Sequence, residues 1–476
     1  MISFRRPDGR GLYLGRWLAV AAIIITLLGG RPGFAADSVT LRDVTFQIGQ
    51  TSYRAPKIEF VGANLSEQQL GALFDTRASA PLDKRLAELS ATAVNVPELV
   101  AEWSSPSGRQ SVTVRDLVLQ TVVSGKAASA STRAVRSEGS YLAMLSIGPI
   151  AITDVDLVLA ARLYQHPSAI KEKEPDAVVG AVDLSALDLR SQNGSIVHAD
   201  RVSLSGVRAV PSADKDADAK SEPDDAQRYL SGVGTISFVG VGADIVSDQV
   251  GDERLKFSMK NATLATEHPY NGLPTDIALT IDDFRLIIPS PSSAQTARDL
   301  HDMGFDAVEL SLQMSASWNE ATSEVVSDVS LRATDAGSIA LRARLGNVSK
   351  EAFSSAPAVA ESASSKATVK SLVVAVKDAG LFERVLANEA HKENRTTEDV
   401  RRDFLVESGA AVASVLGTTP TAGAVARAVA DFIKRPGELE ISIKAKPPDG
   451  IGWADLSAAK LPADMSDKLN ISARAR

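Results

Sequence analysis

The residue types that do chemistry are scattered through this chain. Five histidines, His166, His198, His268, His301 and His391, stand apart, and no two share metal-ligand spacing. There is no GxSxG, no HExxH, no P-loop and no dinucleotide-binding glycine pattern. HDMGFD (301–306) gathers His301, Asp302 and Asp306, but it reads equally well as a helix end capped by Gly304. Asp214, Asp216, Asp218, Glu222 and Asp225 have the spacing of a calcium loop. Ala219 stands where that loop needs glycine, and Asp225 is shorter than the usual bidentate glutamate, so the segment reads as a solvated acidic loop. No catalytic residue, cofactor or metal site is assigned, and the chain is not expected to be an enzyme.

What stands out instead is apolar. In AVELSLQMSASW (307–318), Val308, Leu310, Leu312, Met314, Ala316 and Trp318 alternate with Glu309, Ser311, Gln313, Ser315 and Ser317. Period-two alternation is the pattern of a strand with one dry and one wet face. Val308, Leu310, Leu312, Met314 and Trp318 are the candidate face for a hydrophobic ligand. The strands that must accompany it follow. SEVVSDVSLRAT puts Val325, Val329, Leu331 and Ala333 on one face, and GSIALRARLGNV puts Ile339, Leu341, Ala343 and Leu345 there. SLVVAVK (371–377) is a further strand. GELEISIKAKPP aligns Leu439, Ile441, Ile443 and Ala445, and KLNISARAR aligns Leu469, Ile471 and Ala473. Burying one large apolar side chain is worth ~1.5–3 kcal/mol, so several such strands require a cover. The segments GAAVASVLG and AGAVARAVADFI are rich in alanine and valine on nearly all sides, which predicts buried helices lying on that sheet, with Leu312 in the contact.

An idiom of the form apolar-x-Asp-apolar-x-apolar recurs as LRDVTF (41–46), VRDLVL (114–119), ITDVDL (152–157) and IDDFRL (281–286), with HADRVSL (198–204) and AVDLSALDL (181–189) as looser relatives. Aspartate there reads as a turn or bulge residue that starts or re-phases a strand. At 277–288 the shift is visible, since Ile277, Leu279 and Ile281 give way to Phe284, Leu286 and Ile288. Helices are expected at 64–76, capped by Ser66, at 291–304, and in a block near 378–435 containing a start at Thr396 or Thr397. Residues 349–366 read as a surface excursion. The expected fold class is mainly β (α+β): long antiparallel sheets, with the C-terminal helical block packed on the last sheet.

Residues 1–36 combine Arg5, Arg6, Arg10 and Arg16, an uncharged apolar run from Trp17 to Leu28, and the small residues Gly33 and Ala35 ahead of a cut expected after Ala35 or Ala36. That is the form of a cleavable secretory signal peptide, and the run is short of the ~20 residues a bilayer span needs. The chain has no cysteine, which excludes disulfides and thiolate chemistry and fits a bacterial periplasm. The formal charge is −8, and the leader carries five arginines against one aspartate, leaving about −12 on the remainder. An acidic chain repels polyphosphate, so no nucleic-acid partner is expected. The expected organisation is a signal peptide (1–36), a β-rich N-terminal domain (37–211), an acidic flexible linker (212–227), and a C-terminal sheet with helices (228–476).

VDLSALDLRSQNGSIVHADRVSLSGV (182–207) resembles the strand idiom of AsmA-like proteins. SASWNEATSEVVSDVSLRATDAGSIALRARLGNV (315–348) is similar to YdgA-type bacterial envelope proteins of unknown function. GLFERVLANEA (380–390) with DFIKRPGELEISIKAKPP (431–448) resembles the end of uncharacterised secreted alphaproteobacterial proteins. These resemblances imply long β-structure in the cell envelope and carry over no site residue. Two functions follow. One is a periplasmic structural or interaction protein whose sheet is filled by its own helices, with envelope proteins as partners. The other is an envelope protein that binds lipid or another hydrophobic ligand on the apolar face.

Overall fold

A computed structural model describes residues 37–48, 51–75, 77–105, 108–139, 142–165, 176–209, 234–247, 253–270, 273–354, 357–452 and 468–476. The segment read as a signal peptide (1–36), the acidic stretch 212–227 with its calcium-like spacing, and His166 lie outside them. The fold is mainly β: twenty strands joined by antiparallel pairing, with the expected C-terminal helices. The chain divides into two compact units between Phe238 and Val239.

The first unit begins with β1 (Ser38–Ile48) and β2 (Thr51–Val61), then helices α1 (Glu67–Ala72) and α2 (Leu82–Ala87). β3 (Ala91–Ser105) and β4 (Gly108–Val123) follow. β5 (Lys126–Thr132) with β6 (Ala134–Gly139), and β7 (Leu142–Ile147) with β8 (Ile150–Asp156), are two long strands each broken once. After α3 (Leu157–Gln165) come β9 (Asp176–Ser191) and β10 (Ile196–Ala209). Each strand pairs with its neighbour in sequence: β1–β2–β3–β4, then β4 with β5 and β6, β5 with β8, β6 with β7, both β7 and β8 with β9, and β9 with β10. This unit has a dry core in which Tyr53, Ile58, Phe60, Leu99, Leu117, Leu119 and Ile152 are fully buried. Ser66 caps α1 with a capping box through Gln69, as its sequence requires.

The recurring aspartates explain how such strands change sides. Asp43, Asp116, Asp154 and Asp283 all have left-handed backbone, with φ between 48° and 52°. One left-handed residue sets two consecutive side chains on the same face, so the alternation resumes in the opposite phase. Around Asp43 the burial moves from Leu41 to Val44 and Phe46, while in the partner strand it moves from Ala55 to Ile58. The residue directly across from Asp43 is Pro56, and the one across from Asp116 is Pro97. Proline offers no N–H, so the kink breaks the ladder where no donor is lost. Of the looser relatives, AVDLSALDL carries its left-handed residue at Ala186.

β11 (Thr235–Ser247) contains the boundary between the units. The second unit continues with β12 (Glu253–Tyr270), β13 (Leu273–Ile287), α4 (Gln295–Asp302), β14 (Ala307–Asn319), β15 (Glu324–Ala333) and β16 (Gly337–Gly346). A 3-10 turn (Lys350–Phe353) and α5 (Pro357–Ser364) occupy the stretch read as a surface excursion; its alanines form a helix that the absence of large apolar periodicity concealed. β17 (Thr368–Asp378) follows. Helices α6 (Leu381–Glu393), α7 (Thr397–Leu416) and α8 (Pro420–Lys434) then intervene before β18 (Glu438–Ala445), β19 (Ile451–Gly452) and β20 (Leu469–Ala475). Thr396 and Thr419 cap α7 and α8. Pairing runs β12–β13–β14–β15–β16–β17–β18–β20, with β19 on the end of β17. The three helices are thus an insertion between two adjacent strands.

Candidate functional site

The register lines up the dry positions of eight strands. One row runs Leu264, Leu279, Met314, Val329, Leu341, Val374, Ile441, Ala473. A second runs Ala262, Ile281, Leu312, Leu331, Ile339, Val376, Leu439, Ala475. Neither row holds a polar or charged residue. At ~4.8 Å between strands, seven steps extend ~34 Å. Of the candidate residues, Leu312 and Met314 lie in these rows, and Leu310 and Val308 pair with Phe284 and Leu286 at the same face.

The phase of β13 is corrected to match. Its register with β14 shifts by one residue between Ile281 and Phe284, across Asp282 and Asp283, so that Phe284 still meets Leu310. The opposite face is ionic. Arg285 pairs with Glu309, Arg342 with Asp328, Lys377 with Glu438 and Arg474 with Glu440. Glu324 meets Lys370 at 2.7 Å, and the Lys370 ammonium holds its carboxyl below the usual range. A shallow hollow of ~290 Å³ on this side is lined by the Lys377–Glu438 and Arg474–Glu440 pairs, which already satisfy each other.

Val308, Leu310, Leu312, Met314 and Trp318 are all half-buried rather than buried. Ile339, in the middle of the sheet, is 49% exposed and Leu264 36%. Sequence alone predicts that the helices of 396–434 cover Leu312. The structure places their cover elsewhere: α8 packs against β20 and β18, four strands and more from β14. It lies on the dry side, because Leu469, Ile471 and Ala473 are half-buried while Asn470, Ser472 and Arg474 are exposed. α8 buries Ala422, Val425, Ala428 and Ile433, as its pattern requires, but α7 buries only Val400. α7 meets chiefly α6 and α8, so its far side has no strand to cover.

Trp318 is already engaged. Its indole N–H donates to the Val348 carbonyl at 2.8 Å, and its ring lies 4.7 Å from Phe353 and 5.9 Å from Tyr270. It closes the end of the face and is not part of its open floor. Sequence reasoning missed Leu264 and the whole β12 contribution; the Ala262–Leu264–Thr266 alternation in NATLATEH carries the signal. His301 sits 3.6 Å from exposed Asp306, without a third ligand. His198 lies between Asp188 and Asp200, 2.9 Å from each. Among the described residues, no group of three or more His, Cys, Asp or Glu is placed to hold a metal ion.

A family described as "Uncharacterized protein" matches residues 330–476. That span covers the last part of the second unit: the end of β15, then β16 to β20 with the helical insertion. No curated protein matches the chain.

Proposed function

We propose that this is an exported protein of the bacterial periplasm that binds lipid acyl chains along the apolar face of β12–β17. The observation that carries the reading is the pair of uncharged rows, six strands wide from β12 to β17, whose central members remain partly open to solvent. Exposed apolar patches of this extent mark surfaces that meet an apolar partner. The absence of charge from the rows favours hydrocarbon, which needs no hydrogen bonds. The resemblance of 182–207 to AsmA-like envelope proteins and the leader-like first 36 residues support the placement. A second reading, a scaffold that binds envelope proteins and fills its face internally, draws on α8 against β18 and β20.

Mass spectrometry of organic extracts from the purified protein tests the proposal. Wild type is expected to release lipid in stoichiometric amounts. Ile339→Glu, which places a charge at a half-exposed position in the middle of the face, is expected to lose it while melting within a few degrees of wild type. Extracts no richer in lipid than a control protein of similar size overturn the reading.

A further inference from the structure

The α7–α8 hairpin carries a surface unlike the rest of the chain. From Ser408 to Ala426 there is no charged residue, the longest such run in a sequence of which 23% is charged. Within it and at its border, exposed positions that a solvated helix would fill with charge hold apolar side chains. Val406 is 69% exposed and Val415 66%, and Ala410, Ala411 and Ala413 are exposed between them. Three of the tip's five side-chain hydroxyls are bonded to its own backbone. Ser408 Oγ donates to the Leu405 carbonyl, Ser414 Oγ to Ala411, and Thr419 Oγ1 to Leu416 while accepting from the Ala422 N–H. Charge resumes abruptly on both legs, at Glu407 on α7 and Arg427 on α8.

We infer that this hairpin tip, residues 408–426, inserts into the apolar layer of a phospholipid bilayer. The dimensions match a partial insertion. Ser408 to Leu416 rises ~13 Å at ~1.5 Å per residue, within the ~15 Å of one hydrocarbon leaflet. Among the described residues no helix is long and apolar enough to cross a membrane, so the tip enters one leaflet and leaves Glu407 and Arg427 at the headgroups. The chemistry selects bilayer over protein. A protein partner is held in register by aromatic anchors, ion pairs and free hydrogen-bond donors, and the tip has no aromatic residue and no charge, while these three hydroxyls are already committed. A bilayer asks only that the surface be apolar and its hydrogen bonds be satisfied internally. The inference is independent of ligand binding by the sheet, which uses other residues.

The cysteine-free sequence makes the test direct. Val415→Cys and, as a control on the wet face of β20, Ser472→Cys are each labelled in the full chain with an environment-sensitive fluorophore. Vesicles of phosphatidylethanolamine and phosphatidylglycerol are expected to shift the emission of the Val415 probe to the blue and to leave the Ser472 probe unchanged. Wild type is expected to float with the vesicles, and Val406→Asp/Val415→Asp to lose at least tenfold of the floating fraction at unchanged melting temperature and unchanged co-purifying lipid. An unshifted Val415 probe, or flotation that survives the double substitution, overturns the inference. So does a shift that grows with protein concentration without vesicles, which assigns the tip to a second copy. Ile339→Glu, which tests the sheet face, is expected to float normally.

Discussion

The Ser311 hydroxyl accepts the backbone N–H of Asp283 at 3.3 Å, at the point where β13 changes phase against β14. Asp283 is left-handed at φ 50°. The bond satisfies the donor that the one-residue slip releases, and the slip keeps Phe284 opposite Leu310 on the dry side.

If the aspartate serves the backbone rather than a ligand, Asp283→Gly leaves the chain near wild-type stability. Asp283→Val, which forces a β-branched residue into left-handed space, costs ~1–2 kcal/mol. Both lose the same exposed ion pair with Lys260, so their difference isolates the backbone. Urea unfolding of the two variants measures it. Equal midpoints would show that the kink is dispensable.

Leucines at equal depth in the sequence pattern are unequal in the fold. Leu99 is 0% exposed and Leu312 is half-buried. Leu99→Asp places a carboxylate where water cannot follow and costs several kcal/mol, a large part of a typical 5–15 kcal/mol. Leu312→Asp keeps contact with solvent, loses about half of one side chain's burial, and costs ~1–2 kcal/mol. Gln313→Asp, on the wet face, is the neutral control. Complete unfolding of Leu312→Asp would place that residue in a closed core.

Hydrogen bonds that the protonated His198 ring donates to Asp200 first, and to Asp188 next, raise its pKa above the ordinary value. A raised folded value means that the folded chain holds the proton more tightly than the unfolded one, whose histidine titrates at ~6.5. The stabilisation is therefore fully present below that value and fades as pH rises through the folded value. The melting-temperature difference between wild type and His198→Gln is expected to be largest near pH 6 and smallest at pH 9. A difference constant across that range assigns the pair of contacts to neutral hydrogen bonding.

Gly337 has φ 136°, and a Cβ there would meet the Lys377 carbonyl oxygen at 2.1 Å. Gly304 has φ 81° with open space around it. Gly337→Ala must therefore break the β16–β17 contact, at a cost of ~3 kcal/mol or more, while Gly304→Ala carries only the left-handed penalty of ~1–2 kcal/mol. Thermal melts of the two variants rank them, and a reversed order would contradict this close approach.

Much of the fold is legible in the residues. Period-two alternation marks β14 to β16, β18 and β20, the apolar run SLVVAVK marks β17, the aspartate idiom marks four places where the chain turns left-handed, and Ser66 and Thr396 announce their helices, whereas the Thr419 cap emerges only in the structure. The helix at Pro357–Ser364 is not legible, because PAVAESAS offers no apolar stripe for a 3.6-residue period to reveal. The dry face is legible strand by strand. Its degree of cover is not, because an alanine- and valine-rich helix reads the same whether it lies on a sheet, as α8 does, or stands away from one, as α7 does along Val406 to Val415. Cover depends on which strands the helical insertion lands upon, and that is a long-range property of the packed chain.

Pairing each strand of the second unit with its neighbour in sequence has a consequence for how such a protein changes over time. Duplicating or deleting one β-hairpin between β12 and β17 adds or removes two strands, ~10 Å of width, without disturbing the side-chain phase of the strands on either side. The reach of the apolar surface is thus adjustable in fixed increments, while α8 keeps its seat on the last two strands.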